Sequence, residues 1–318
     1  MYRGQRSPRY RKGTPMELST STNICAFSAG RTRYPMVFCI EACAKAGFKY
    51  LDLNFCEAMN PTSRMRDDDW LEYVDELAET GKRCDVEFVQ SHLPYYDIFG
   101  EKDRGKIEVM EELIRRSIIA SARLGVKWTV THPGTVYDAG PDMAVSLERN
   151  LEYYSRHVAT TREHGIGIAL ENDFEYKSAP YQHIYCANVH EQVTLIDSFN
   201  DPEHVGACYD FGHANLVGGF HRQNLTILGK RIKAIHVQDN KGLEDDHLLP
   251  FHGNIDWKEA MQALAEIGYD GDLTFEIQEW GRFYPKELKS MMAEYAAKVG
   301  NILISYFNES LQTKKSVN

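Results

Sequence analysis

Residues 232–277 read IKAIHVQDNKGLEDDHLLPFHGNIDWKEAMQALAEIGYDGDLTFEI. An aliphatic, β-branched run, Ile232–Val237, carries a histidine near its end and gives way to a polar stretch. I-D-W at 255–257 then opens an amphipathic helix, Trp257–Ile267, which Gly268 stops. A second strand-like run, Leu273–Ile277, carries Glu276 near the same end. This is one strand–helix–strand unit with an ionisable residue at the exit of each strand.

Worked outward, the pattern repeats. Further strands are predicted over Ser19–Phe27, Tyr50–Phe55, Asp85–Ser91, Trp128–His132, Gly167–Glu171 and Val205–Asp210, which brings the total to eight. Helices are predicted over Pro35–Ala46, Asp68–Thr80, Lys106–Leu124, Met143–His164, Val189–Ser198 and Pro285–Tyr306, with stops at Gly47, Gly81, Gly125 and Gly165. The helix of the sixth unit falls within Phe220–Gly229. Eight strand–helix units with no linker between them favour a single closed (β/α)8 TIM barrel over an open doubly wound sheet, and no GxGxxG or P-loop sequence argues for a nucleotide fold. The barrel is expected to span residues 16–318, behind a disordered basic extension at 1–15 that holds Arg3, Arg6, Arg9, Arg11 and Lys12. The aromatic and polar segment Asp173–Asn188 is longer than an ordinary connection, as a lid or a surface insertion would be.

Composition narrows the partners. A hydrophobic fraction of 43%, a charged fraction of 26% and the lack of any apolar run near the roughly 20 residues that cross a bilayer argue against a membrane role. A net charge of −10 disfavours nucleic acid. Seven scattered cysteines without a CxxC pair read as reduced residues of a cytoplasmic protein.

In a parallel barrel the strand exits converge on one face. There the chain places S-H-L-P (91–94), T-H-P-G (131–134), L-E-N-D (170–173), Y-D-F-G-H (209–213), I-H-V-Q-D (235–239) and F-E-I (275–277). One histidine at a strand exit means little. Six consecutive exits with His, Glu or Asp are costly to bury unless a cation or mutual pairing compensates them. Carboxylates with imidazole suit one divalent ion such as Mn2+, Mg2+, Co2+ or Zn2+.

The quoted stretch, with THPG, ALEN and YDFGHAN, closely resembles the sugar phosphate isomerase/epimerase family of xylose isomerase-like TIM barrels, over about residues 17–306. The resemblance implies a metal held by Glu171, Asp210, His236 and Glu276, with Glu171 and Glu276 also the catalytic acid/base pair. It implies a substrate pocket lined by His92 and His213, to which His132, His247 and His252 are added as substrate contacts. The expected partner is a small-molecule ketose or related sugar, isomerised or epimerised through a metal-stabilised cis-enediolate; a homo-oligomer is compatible with the sequence. A lyase that starts with the same proton abstraction is the alternative. The superfamily also includes endonuclease IV, whose three-zinc ligand order can be read in His92, His132, Glu171, Asp210, His213, His236, Asp245, His247 and Glu276. Asp239 and Asn172 are candidate partners that orient His236, or loop caps. Trp70, Tyr95, Tyr96, Phe99, Trp280 and Phe283 are candidate sugar-stacking aromatics. Where the family often has P-G-E-G before I-D-W, this chain has Pro250-Phe251-His252-Gly253-Asn254, so the usual substrates do not carry over.

Overall fold

The computed structural model describes residues 16–27, 33–175 and 182–317, so the expectation for 1–15 lies outside the described residues, as does part of that for 173–188. Eight parallel strands form the sheet: β1 (Leu18–Ser21), β2 (Tyr50–Asn54), β3 (Glu87–His92), β4 (Trp128–Thr131), β5 (Gly167–Glu171), β6 (Val205–Asp210), β7 (Ile232–His236) and β8 (Leu273–Phe275). They are ordered 7-6-5-4-3-2-1-8. The ring is closed by the residue just past β7: Val237 N donates to Thr274 O at 2.8 Å, and Glu276 N donates to Val237 O at 3.1 Å. This is the single (β/α)8 barrel that eight strand–helix units require.

Around it lie α1 (Met36–Lys45), α2 (Trp70–Cys84), α3 (Arg104–Arg123), α4 (Met143–His164), α5 (Val189–Ser198), α6 (Phe211–Leu216), α7 (His221–Leu228), α8 (Trp257–Ile267) and α9 (Lys289–Val317). Most of the apolar core lies between helices and sheet. Inside the barrel a second, smaller cluster of Trp128, Val130, Ala169, Cys208 and Ala234 packs beneath the strand exits.

Beyond shifts of one or two residues at element ends, four features differ from those predicted. β1 stops at Ser21 rather than running to Phe27, because the Ser21 hydroxyl accepts from Asn23 N and turns the chain into a short 3-10 helix, Thr22–Cys25. α2 passes through Gly81 and ends at Cys84, with Asp85 at φ 54 as its left-handed cap. Gly81 serves packing instead, since a Cβ there would lie 2.8 Å from the Phe88 ring. The sixth unit holds two helices, α6 and α7, because the Asp210 side chain caps a helix immediately after β6. α9 continues well past Tyr306.

Gly165 does act as a helix stop, at φ 71 with open space where a Cβ would sit. Gly165→Ala should therefore cost about 1 kcal/mol through backbone strain alone. Gly140, equally open but without a positive φ, should tolerate alanine within about 0.5 kcal/mol. Urea unfolding of the two variants checks this, and equal stabilities would contradict it.

Candidate metal and substrate site

Side chains alternate across a strand, so the residue two positions past an inward-facing one also faces inward. Inward-facing Val130, Ala169, Cys208 and Ala234 are followed at that spacing by His132, Glu171, Asp210 and His236. Ala169, Cys208 and Ala234, with Val130 and Trp128, lie below, and the ionisable layer rests on them. The parity holds across the ring: Asp52 of β2 reaches His236 of β7, on a strand that is not its neighbour.

Glu171, fully buried, is the hub. Its Oε1 lies 2.8 Å from His236 Nδ1 and 3.6 Å from His213 Nδ1; its Oε2 lies 3.6 Å from His92 Nε2 and 3.5 Å from His132 Nε2. The His236 Nδ1 also faces Glu276 Oε2 at 3.3 Å and Asp210 Oδ2 at 4.0 Å. Among the described residues, three groups made of carboxylate and imidazole donors alone result, each within 4.8 Å: Glu171, Asp210, His236 and Glu276; His92, His132 and Glu171; and His213, Asp245 and His247. Above them opens a cavity of about 940 Å³, lined by His92, His132, His213, Asp245, His247 and Glu276 among others. Glu276 lines the cavity, whereas Glu171, Asp210 and His236 lie beneath its surface.

Three imidazoles are pinned by Nδ1 to backbone carbonyls: His92 to Leu93 O at 2.8 Å, His213 to Asn172 O at 2.9 Å and His247 to Glu276 O at 2.9 Å. Donation from Nδ1 leaves Nε2 turned toward the carboxylates, the orientation a metal-binding or hydrogen-bonding ring needs.

Charge is balanced by protons. Burial works against the charged ring at four histidines, and the neighbours outweigh it. Those neighbours are Cys56, Glu171 and Glu276 at His92; Asp210, Asp245 and Glu171 at His213; and Cys208, Glu171 and Glu276 at His236. At His247 they are chiefly Asp245 and Glu276, and its pKa rises to about 10. His132 goes the other way, to about 3, because burial prevails over the pull of Glu171. The Nε2 atoms of His92 and His132 lie 3.1 Å apart, so that one of the two rings donates to the other. Glu171 is held below the usual carboxylate range because the charge and hydrogen bond of His236, with a hydrogen bond from His92, outweigh its burial. Asp210 is raised by burial, with Glu171 and Glu276 adding to it against the pull of His213.

Donor chemistry and unmet bonding capacity both fit a divalent cation. Glu171 Oε2 and Asp210 Oδ2 are buried without a hydrogen-bond partner, an arrangement costing roughly 1–3 kcal/mol per atom unless something else binds there. Cys208 stands beside Glu171 and His236, but burial raises its thiol to about 12, which disfavours the thiolate a metal would need.

Some expected residues have other tasks. Asp239 does not orient His236: it accepts from Asn240 N (2.9 Å), Ile255 N (3.3 Å), Phe251 N (2.9 Å) and Trp257 Nε1 (2.9 Å), and so ties the loop after β7 together. Asn172 braces β5 against β6 by bonding Asp210 N at 2.7 Å and Asp210 O at 3.1 Å. His252 stands apart from the cavity lining; it is exposed and lies against the Trp280 ring, because Phe251 at φ 74 turns the chain outward. Tyr95 and Tyr96 line the cavity, whereas Trp70 is buried and Phe283 is 67% exposed. Of the long segment after β5, Asp173 and Phe174 line the cavity, and Phe174 packs on His213 at 4.7 Å. Residues 176–181 lie outside the described residues.

Two buried residues at the site escaped the strand-exit reading. Asp52 faces the Nε2 of His236 at 3.7 Å and accepts from Gln90 at 2.8 Å. Gln238 donates to Asp245 Oδ1 at 2.7 Å and to Asp210 Oδ1 at 3.3 Å, linking two of the donor groups. The available signal was parity: Gln238 sits two positions past His236, and Asp52 two positions before Asn54 at the exit of β2.

Residues 40–295 match the family described as xylose isomerase-like TIM barrel. An uncharacterized protein of Methanocaldococcus jannaschii is 31% identical over 204 residues, 63% of this chain and 67% of that protein. A probable endonuclease 4 of Geobacillus sp. is 26% identical over 171 residues, 50% of this chain and 54% of its own length. The crystal structure of a D-tagatose 3-epimerase-like protein has the same fold, with a TM-score of 0.68 at 22% identity, covering 93% of this chain and all of the other.

Removing the Asp239 carboxylate leaves four donors unmet in and beside the loop after β7. Asp239→Ala should lose about 3 kcal/mol of stability and alter Trp257 fluorescence. A fall in unfolding free energy under about 0.5 kcal/mol, the range of a neutral surface change, would contradict this role.

Proposed function

The chain belongs to the xylose isomerase-like TIM barrel family, and from that premise we propose that it is a metal-dependent isomerase or epimerase of a ketose or related sugar. The observation that carries this reading is the quartet Glu171, Asp210, His236 and Glu276, whose donor atoms lie within 4.8 Å of one another below a cavity of sugar-accommodating size.

Moving a hydrogen next to a ketose carbonyl means removing a proton from a weak carbon acid. A divalent ion held by the quartet would supply Lewis-acid stabilisation of the negative charge that develops on the substrate oxygens. Glu276, the quartet carboxylate that lines the cavity, is placed to take or return the proton. Glu171 is its counterpart, with four imidazoles about its two oxygens to set its charge. His92, His213 and His247, fixed by their backbone bonds, hold substrate hydroxyls in one orientation, with His132 beside them. Asp173, raised to about 6 mainly by burial, adds a group able to donate or accept a hydrogen bond near neutral pH.

A second reading has its own observation. The nine residues of the three donor groups supply enough ligands for a multinuclear centre of the kind used in phosphodiester hydrolysis. Against it, among the described residues Arg33 and Arg282 are the lysine and arginine side chains of the cavity lining, few for a DNA backbone.

Glu171→Gln and Glu276→Gln should each slow deuterium exchange into D-fructose or D-tagatose by about 10²–10⁴-fold, followed by NMR with metal content measured in parallel. Exchange at the parent rate in either variant would sink its assignment. Metal analysis should give about one ion per chain for the isomerase; three ions together with cleavage of abasic duplex DNA would establish the second reading instead.

A further inference from the structure

Apart from Asp52, the ionisable groups described so far come from β3 to β8 and the loops that follow them, while the cavity edge formed by β8, β1 and β2 has a different chemistry. It is lined by Asn23, Phe27, Arg33, Asn54, Gln278 and Arg282. The guanidinium carbons of Arg33 and Arg282 lie 5.2 and 4.9 Å from the centroid of one ring, Phe27. Two cations gathered at one aromatic ring repel each other, and the attraction of each to the ring is small.

Their local partners leave capacity unused. Arg33 donates to Asn54 Oδ1 at 3.2 Å and, among the described residues, makes no ion pair. Arg282 pairs through Nη1 with Glu279, while its Nε is buried without a partner. Arg33 is felt by the carboxylate of Glu57 without a direct pair, and Arg282 has Glu279, so guanidinium N–H groups of both remain unused at this edge. Its backbone is firmly held: the buried Lys289 Nζ donates to Gly281 O at 2.6 Å and Arg282 O at 3.4 Å. The Oδ1 of Asn23 and Oε1 of Gln278 are also buried without partners. These amides can turn to donate to the same ligand.

We infer that Arg33 and Arg282 form an oxyanion subsite, so that the substrate is a ketose with a phosphate or carboxylate at the end remote from its carbonyl. This deepens the isomerase reading and rests on it for the sugar, though not for the anion. A guanidinium fork matches either oxyanion, which distinguishes it from a neutral sugar's hydroxyls.

Calorimetry on the metal-loaded protein compares D-ribulose 5-phosphate with D-ribulose, and D-fructuronate with D-fructose. At least one charged sugar should bind about tenfold or more tightly than its neutral counterpart, the gain of one charge-assisted contact. Whichever pair shows the gain identifies phosphate or carboxylate. Arg33→Met and Arg282→Met should each cut that ratio at least about fivefold, and Arg33→Lys should restore part of it. A ratio near one in both pairs, or one that survives both methionine variants, overturns the subsite. If sugars bind with the expected ratio but exchange no deuterium, the isomerase reading alone fails. If no sugar binds, inorganic phosphate decides: binding lost in the Arg33→Met/Arg282→Met double variant upholds the subsite, and absent or unaltered binding overturns it.

Discussion

A carboxylate shut off from water, Glu171, with imidazoles about both its oxygens, is the constraint on which the rest of the site depends. A lone buried charge would cost several kcal/mol. Here Oε1 meets His236 and His213 while Oε2 meets His92 and His132, so one residue joins the donor groups on its two sides. Protons on the surrounding rings offset its charge. The same arrangement is a receptacle for cations, because a divalent ion can replace those protons and satisfy the oxygens left without partners.

The barrel makes this possible by layering. Ala169, Cys208 and Ala234 pack below the site, and strand alternation brings Glu171, Asp210 and His236 up two residues later. Closure between Val237 and Thr274 carries Glu276 to the side of His236. The loop after β7 then returns Asp245 and His247 over the mouth, tied by Asp239 and joined to Asp210 through Gln238. Without that loop the third donor group would have only His213.

Much of this was legible from residue order, because strand exits in a parallel barrel share one face whatever the details of packing. β5, β6, α4, α5 and α8 have the predicted limits, since Gly165 and Gly268 mark helix ends with positive φ and the strands end on their ligands. Less legible were features set by contacts distant in sequence. His252 looked like a pocket residue but is turned outward at Phe251. Asp239 could have oriented His236 or held its own loop, and only three backbone and side-chain partners from 251–257 decide for the loop. Asp52 and Arg33 belong to units that supply none of the exit histidines; parity alone pointed to Asp52 and nothing local marked Arg33, and their relevance comes from reaching across or around the barrel to His236 and Arg282.

The central claim is that the buried carboxylates are balanced by protons on His92, His213, His236 and His247, which a metal displaces. Titrating metal-free protein with Mn2+ or Zn2+ at neutral pH, by calorimetry in buffers of differing ionisation enthalpy, counts those protons directly. Release of at least about one proton per ion bound is the result required by this charge balance. Tight binding to the quartet with no proton released would contradict it.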